Sequence, residues 1–231
     1  MFSVRTCIIP GARAAARPQV VRIPFRSSFA ITRSASTISE AITNDHRELK
    51  KYYDEIVNNP DNIDHQTRYG NQFIWELARH SVAEELLIYP AMEKYLGKMG
   101  KEHADHDRAE HHEVKIHLKE FQNMDPASSN YLPKLKEIWS LLEHHIQDEE
   151  TKDLPALEKA LSSRENRGSS ESLAKNFGRT KAFVPSRSHP SAGENPYFEG
   201  PMGMLAAPID HIADLFRKFP DEVVSPNPSK K

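Results

Sequence analysis

The chain has 231 residues, a net charge of −2 and 38 % hydrophobic residues, which suits one or two domains with a core of moderate size. This charge balance gives no reason to expect nucleic-acid binding, and no apolar run reaches the roughly 18 residues that predict a membrane span. The sole cysteine is Cys7, which excludes a disulfide framework.

The first 39 residues differ in composition from the rest of the chain. They contain six arginines and no acidic residue, and the first acid is Glu40. An Arg-rich, acid-poor segment of this kind is typical of an organellar transit peptide. We therefore predict that residues 1–36 are a mitochondrial transit peptide and that the protein is mitochondrial, in the matrix. A disordered basic tail is the alternative.

Apolar periodicity predicts four long helices. They cover about residues 37–58, 63–96, 101–123 and 131–161. Pro90 and Pro155 lie within the second and fourth helices and should kink or break them, because proline lacks the amide hydrogen and clashes with the preceding turn.

Residues 164–231 form a C-terminal extension in which turn residues are frequent. One short amphipathic helix is predicted there, near residues 207–219, and the residues on its apolar side are Ile209, Ile212, Leu215, Phe216 and Phe219. We expect this extension to wrap around the helices and to lay the apolar side of its helix on them. The alternative is a helix that binds a protein partner.

An internal repeat with an offset of 65 residues relates two segments of the chain. The pattern H-x3-E-E-x4-P-A-x-E-K begins at His80 and again at His145, and the segment around His46 maps in the same way onto His111. Each copy therefore has one His, then a second His 34 residues later, followed by a Glu one helical turn on. A repeat identifies the architectural unit, which here is a pair of helices.

The repeated residues have the types and the spacing of a metal site. Residues four apart share one face of a helix, so each second His points to the same place as its Glu. The candidates also fall within apolar stripes, where an unpaired carboxylate is costly. The six candidate metal ligands are His46, His80, Glu84, His111, His145 and Glu149. This set suits two divalent ions of iron, manganese or zinc. Glu85 and Glu150, which directly follow the candidate Glu ligands, are candidates for hydrogen bonds to ligand histidines.

These motifs resemble the hemerythrin-like HHE cation-binding domains, over roughly residues 38–163. The resemblance implies an all-α fold, namely an antiparallel up-and-down four-helix bundle over residues 37–163, followed by the extended tail with its short helix. It also implies a non-haem di-iron centre. By this resemblance, His46 and His80 bind one iron, His111 and His145 bind the other, and Glu84 and Glu149 bridge the two.

One position departs from the oxygen-carrying hemerythrins, which have a further His one turn from another His on the third helix. Here Asp107 lies one turn before His111, and Lys115 lies one turn after it. Either Asp107 or His106 is a candidate to complete the coordination. A ligand set with one His fewer leaves more open coordination positions, which favours sensing, iron buffering, or peroxide or nitric oxide chemistry over reversible oxygen carriage.

The function expected from these residues is binding of two iron ions, with zinc or manganese as alternative metals. The bound irons would bind or sense dioxygen or a related small ligand, or the protein would buffer iron. The first alternative is a di-iron oxidase, peroxidase or nitric-oxide-handling enzyme. The second is a metal-free helical scaffold that recruits a protein partner through its C-terminal helix. No separate general acid, base or nucleophile stands out, which favours a binding protein over an enzyme.

Overall fold

The computed structural model describes residues 37–190 and 204–223, so the predicted transit peptide lies outside the described residues. Within these ranges the chain forms helices and no β-strand, which confirms the predicted all-α class. The helices are α1 (Ile38–Asn58), α2 (Ile63–Ala83), α3 (Tyr89–Phe121), α4 (Tyr131–Asp148), α5 (Leu154–Leu161), α6 (Ser169–Thr180) and α7 (Ala207–Asp214). No helix in the described part is long and apolar enough to cross a membrane.

The starts of α1 and α2 follow from capping residues. The Thr37 hydroxyl accepts a hydrogen bond from the Glu40 amide at 3.2 Å, and the Asn62 side chain accepts one from the His65 amide at 3.0 Å. Each bond satisfies one of the amides that a helix leaves unpaired at its N-terminus. Pro60 lies in the turn between the two helices, where no helical hydrogen bond is required.

Pro90 and Pro155 do not break their helices, because the chain stays helical through both positions. Each lies just after a π-helical turn, formed by Glu84–Ile88 and by Glu149–Asp153. In these turns the amide of Tyr89 donates to the carbonyl of Glu84, five residues back, and Leu154 donates to Glu149 in the same way. The wider turn shifts the hydrogen-bond register before each proline, so that the helix continues. Both π-helical turns begin at a candidate metal ligand.

The second and third predicted helices are joined within α3 by a kink at Gly97, whose φ of 63° and ψ of −132° are not helical. Only glycine adopts this region without steric cost. The chain then passes close to itself, because a Cβ on Gly100 would lie 2.0 Å from the carbonyl oxygen of Met92. The change of direction near residues 97–100 therefore depends on two glycines.

Two apolar clusters form the core, and a polar layer lies between them along each long helix. One cluster includes Leu49, Phe73, Leu77, Leu118 and Leu142, and the other includes Ile38, Ile42, Ala83, Tyr89 and Leu154. His46 follows Ile42 and precedes Leu49 in α1, and His80 follows Leu77 and precedes Ala83 in α2. The candidate ligands thus occupy a middle layer that apolar residues enclose on both sides.

The extension contains a helix that the sequence analysis did not predict, α6, and this helix packs on α1 and on the first π-helical turn. Residues 184–188 then run buried beside α2 and α3. Further on, the Lys218 and Phe219 carbonyls accept hydrogen bonds from Asn71 and Arg68 of α2 at 3.0 Å. The extension therefore covers the side of α2 that faces away from α1, and α2 is buried on most of its circumference.

The orientation of α7 differs from the predicted one. Its buried residues include Asp210 and Asp214, whereas Ile209 and Ile212 are exposed. Asp210 accepts from His189 at 2.9 Å, and Asp214 binds Ser186 and Arg187. Ion pairs and hydrogen bonds to the preceding segment therefore orient α7, and they outweigh the burial of its two isoleucines.

We predict that Gly100→Ala lowers the free energy of unfolding by about 1–3 kcal/mol, because the new methyl group overlaps the backbone of Met92. Gly178→Ala is the matched control. It lies within α6 with no atom within 4 Å of the added Cβ, so it should leave stability unchanged or raise it by up to about 1 kcal/mol. Denaturant titration of both variants tests the prediction, and equal stability of the two would contradict it.

Candidate metal centre

The structure brings all six predicted ligands together in the buried middle layer. Ligand atoms of His46, His80, Glu84 and Glu149 lie within 4.8 Å of one another, as do those of Glu84, His111 and His145. No ligand side chain of either group is exposed to solvent by more than a few per cent. Glu84 belongs to both groups, so the two candidate ion positions are adjacent.

Each of the two glutamates contacts one histidine from each half of the repeat. The Glu84 carboxylate lies 3.2 Å from His80 Nε2 and 3.5 Å from His111 Nε2. The Glu149 carboxylate lies 3.3 Å from His46 Nε2 and 3.9 Å from His145 Nε2. This crossed arrangement places both carboxylates between the two pairs of histidines, where each can contact two cations.

Several inward-facing atoms lack a hydrogen bond within the described part of the chain. They are the Nε2 atoms of His46 and His80, both carboxylate oxygens of Glu84 and of Glu149, and Oδ2 of Asp107. Buried polar atoms are normally hydrogen-bonded, and leaving a carboxylate unsatisfied is costly. Divalent cations would satisfy these atoms, so the residues present fit a metal centre of nitrogen and oxygen ligands.

A carboxylate lies against the outer nitrogen, Nδ1, of every ligand histidine. The pairs are His46 with Glu150 at 2.8 Å, His80 with Asp45 at 3.3 Å, His111 with Glu85 at 3.3 Å, and His145 with Glu110 at 2.9 Å. Such partners fix the proton on Nδ1 and leave Nε2 as the nitrogen that would bind metal. In the structure the Nε2 atoms of His111 and His145 lie 3.0 Å from each other. The hydrogen-bonding roles predicted for Glu85 and Glu150 are therefore confirmed, whereas Asp45 and Glu110 were missed.

The repeat contained the signal for the two missed residues. Asp45 and Glu110 are separated by the same 65 residues as their histidine partners, and both are acidic. Each directly precedes a candidate ligand on its own helix, Asp45 before His46 and Glu110 before His111. Had acidic repeat pairs been searched beyond the two main motifs, these positions would have been candidates.

Tyr89 is a further buried group of the site that was missed. Its hydroxyl lies 3.2 Å from Nδ1 and 3.0 Å from Nε2 of His111, and its side chain is fully buried. Burial, together with the nearby Glu84 carboxylate, raises the pKa of this phenol, so it stays protonated. The repeat places Leu154 at the equivalent position, so only one half of the centre has this hydroxyl.

Asp107 and His106, the two residues considered for completing the coordination, lie in different environments. Asp107 is 1 % exposed, and its carboxylate lies within 4.8 Å of ligand atoms of Glu110 and His145. The His106 side chain is 60 % exposed and lies against Glu110 at 3.4 Å. Only Asp107 therefore faces the buried centre. Burial raises its pKa to about 8.

Charge is unevenly distributed over the centre. Burial alone would lower the pKa of His46, but the Glu149 and Glu150 carboxylates outweigh it and raise this pKa to about 9. Burial and the charge of Glu149 raise the pKa of Glu84. Burial and the neighbouring His145 lower the pKa of His111. Without metal the centre thus holds protons on some ligands, and a cation must displace them.

The comparison with known proteins agrees with this geometry. Residues 37–157 match the Hemerythrin HHE cation binding domain. The chain belongs to this family. An uncharacterized hemerythrin-like protein of Schizosaccharomyces pombe is 50 % identical over 183 residues, which cover 79 % of this chain and 88 % of that protein. A DNA nickase of Nostoc is 24 % identical over 152 residues, which cover 65 % of this chain but 40 % of that protein. No solved structure matches the chain.

We predict that the metal-free hemerythrin-like domain loses on the order of 2 kcal/mol of stability between pH 7 and pH 9. The pKa of His46 is raised to about 9, so the stabilisation from its proton is complete below the unfolded pKa of 6.5 and is lost as the pH rises through 9. The pKa of Asp107 is raised to about 8, so ionising this buried carboxyl adds a cost over the same range.

Urea titration at pH 7, 8 and 9 in the presence of chelator measures this change. The double variant His46→Gln/Asp107→Asn removes both groups and should show a flatter pH dependence. Stability that is constant or increases from pH 7 to pH 9 in the unsubstituted chain would contradict the assignment.

Proposed function

We propose that this hemerythrin-like protein binds two iron ions in the buried centre. The observation that carries the proposal is the group of unsatisfied inward-facing atoms of His46, His80, Glu84 and Glu149 in the middle of the core. A metal-free scaffold would have no reason to keep two buried carboxylates without hydrogen-bond partners, because apolar residues of similar size would be more stable there.

The crossed contacts support an assignment of the ligands. One ion would be held by His46 and His80 and the other by His111 and His145, with Glu84 and Glu149 bridging the two. We further propose that α1, α2, the part of α3 after Gly97, and α4 form an antiparallel up-and-down four-helix bundle. The short connection between α1 and α2 and the packing of α1 on α2 and of α3 on α4 support this arrangement.

Asp107 is our candidate for an additional ligand of the ion at His111 and His145. That half has fewer clustered ligand residues than the half at His46 and His80. The repeat equivalent of Asp107 is Ile42, which is fully buried in the apolar core. One copy of the repeat therefore has an apolar side chain, and the other has a buried carboxylate with an unsatisfied oxygen.

Iron bound in this centre would supply a reversible one-electron change at each ion and open coordination positions for a small ligand such as dioxygen. The protein's own residues would hold the imidazoles in one tautomer through Asp45, Glu85, Glu110 and Glu150 and would exclude bulk water through the two apolar clusters. We infer binding or sensing of dioxygen or a related ligand, or iron buffering, in the mitochondrion, where the composition of residues 1–36 would direct the chain.

The experiment that tests this function is a metal count with an absorption spectrum. We expect two irons per chain after expression in iron-supplemented medium, and a spectrum that changes when oxygen meets the reduced protein. Reversal on removing oxygen would indicate a carrier or sensor, and irreversible oxidation would indicate an enzyme or an iron buffer. Two zinc or manganese ions instead of iron would change the metal assignment, and a folded protein without metal would overturn the proposal.

Glu84→Ala should lose at least one of the two metal ions, because a bridging carboxylate serves both of them. Glu102→Ala, an exposed glutamate of α3, is the control and should retain both. Metal content per folded chain measures the difference. Two ions retained in the Glu84 variant would exclude the bridging role.

Asp107→Asn should weaken binding of one of the two ions by at least about tenfold, since an amide is a poorer ligand than a carboxylate and carries no charge. Glu102→Gln is the matched control, because this glutamate of α3 is 64 % exposed and pairs with Lys98 at 3.5 Å. Competition with a chelator of known affinity measures the affinity of the protein for each of the two ions. Equal affinities in the two variants would leave Asp107 outside the coordination.

A further inference from the structure

The C-terminal extension, which follows the family match at residues 37–157, contacts the metal centre directly. Phe177 of α6 is 1 % exposed, and its ring lies edge-on to the His80 ring with 5.9 Å between centroids. One helical turn further on, Lys181 is also buried. The extension thus brings one aromatic ring and one cation to a single candidate ligand, His80.

The Lys181 ammonium is bound between two carboxylates. It donates to Oδ2 of Asp45 on α1 and to Oε1 of Glu76 on α2. Its backbone carbonyl accepts a hydrogen bond from Arg79 Nε at 2.8 Å, which fixes the start of the following segment on α2. The position of this ammonium is therefore determined at both the side chain and the backbone.

One carboxylate oxygen links Lys181 to the metal centre. Oδ2 of Asp45, to which Lys181 donates, is the same atom that lies 3.3 Å from Nδ1 of His80. The ammonium therefore determines where the hydrogen-bond acceptor for His80 lies. If Lys181 only anchored the extension, it would not need to bind the same carboxylate oxygen of Asp45 that faces His80.

The four carboxylates that lie against Nδ1 of the candidate ligand histidines have their charge compensated in different ways. Glu85 is paired with Lys115 of α3, whereas Glu110 and Glu150 are partly exposed, so that water screens their charge. The repeat equivalent of Lys115 is Lys50, which is largely exposed and pairs with Asp54. The repeat equivalent of Glu85 is Glu150, so Lys50 is not the counterpart of a cation at Asp45. The half at His46 and His80 receives its buried cation from Lys181 of the extension, 136 positions away from Asp45.

We propose that Lys181 is a positioning residue of the metal centre, which holds the Asp45 carboxylate against Nδ1 of His80 so that Nε2 faces the ion. The extension would thereby set the metal affinity of the half at His46 and His80. This inference rests on the proposed metal binding, and its test separates a failure of the one from a failure of the other.

The test is a Co²⁺ titration of the full-length metal-free chain, followed through the visible spectrum, which reports the ligands of each ion. In Lys181→Met we expect one binding step to weaken about 10- to 100-fold, the range for partners of ligand histidines, while the other step is unchanged. Lys181→Arg keeps the charge and should restore most of the affinity. Lys218→Met is the control, because Lys218 is also on the extension but forms an exposed ion pair with Asp64 of α2.

A second pair of variants keeps the test decisive if Lys181→Met does not fold. Glu76→Gln alone leaves Lys181 on Asp45 and should retain both binding steps. In Glu76→Gln/Lys181→Met, residue 76 carries no charge, so the loss of the lysine leaves no unpaired buried carboxylate there. Asp45 has still lost its cation, so one of the two Co²⁺-binding steps should weaken. Thermal unfolding of the metal-free variants confirms that each one is folded.

Three results would overturn the inference. In one, folded Lys181 variants bind both ions as the unsubstituted chain does. In another, both steps weaken equally, as expected from a general loss of structure. In the third, Lys181→Arg is as impaired as Lys181→Met. A folded, unsubstituted chain that binds no Co²⁺ would overturn the proposed function itself.

Discussion

The constraint on which the structure depends is a layer of ionisable side chains buried between two apolar clusters. Four imidazoles and the carboxylates of Glu84, Glu149 and Asp107 lie there out of contact with water. Burial of such groups is costly unless each atom has a partner, so the surrounding chain is arranged to supply partners. The outer nitrogens have carboxylates, and two of these carboxylates have lysines. The inner atoms remain for cations.

The repeat made the centre of the molecule predictable, because it fixes which residues share a helix face. His46 and His111 occupy equivalent positions, as do His80 and His145, and the structure brings all of them into one layer. The helix ends near Asn58 and Leu161 were also predictable, since capping and turn residues are local signals. The all-α class follows from the same apolar periods. The sequence thus showed spacings within one or two helical turns and the repetition of those spacings 65 residues later.

The remaining features depend on contacts between distant segments. Nothing within α6 indicates that Lys181 meets Asp45, 136 residues earlier, because a lone lysine in a polar stretch is typical of a solvated surface. The apolar side of α7 suggested packing, yet buried partners of Asp210 and Asp214 decide its orientation. The prolines were interpreted with the rule for α-helices, whereas a π-helical turn before each one provides a register that the rule does not consider. In each case a tertiary or register effect outweighs a correct local preference.

The places where the repeat is broken explain why the two halves of the centre are not equivalent. Ile42 corresponds to Asp107, Leu154 to Tyr89 and Lys50 to Lys115, so one half gains an acid, a phenol and a buried cation that the other lacks. The other half has its cation from outside the repeat, through the extension. The Asp45 and Glu85 side chains are 14 % and 4 % exposed, whereas those of Glu110 and Glu150 are 22 % and 34 % exposed. A groove lined by residues of α1 and α4 leads to His46 and Glu150. A duplicated helical pair with no further change would give two equivalent halves, and in this chain the substitutions and the extension together make the two halves of the candidate centre different.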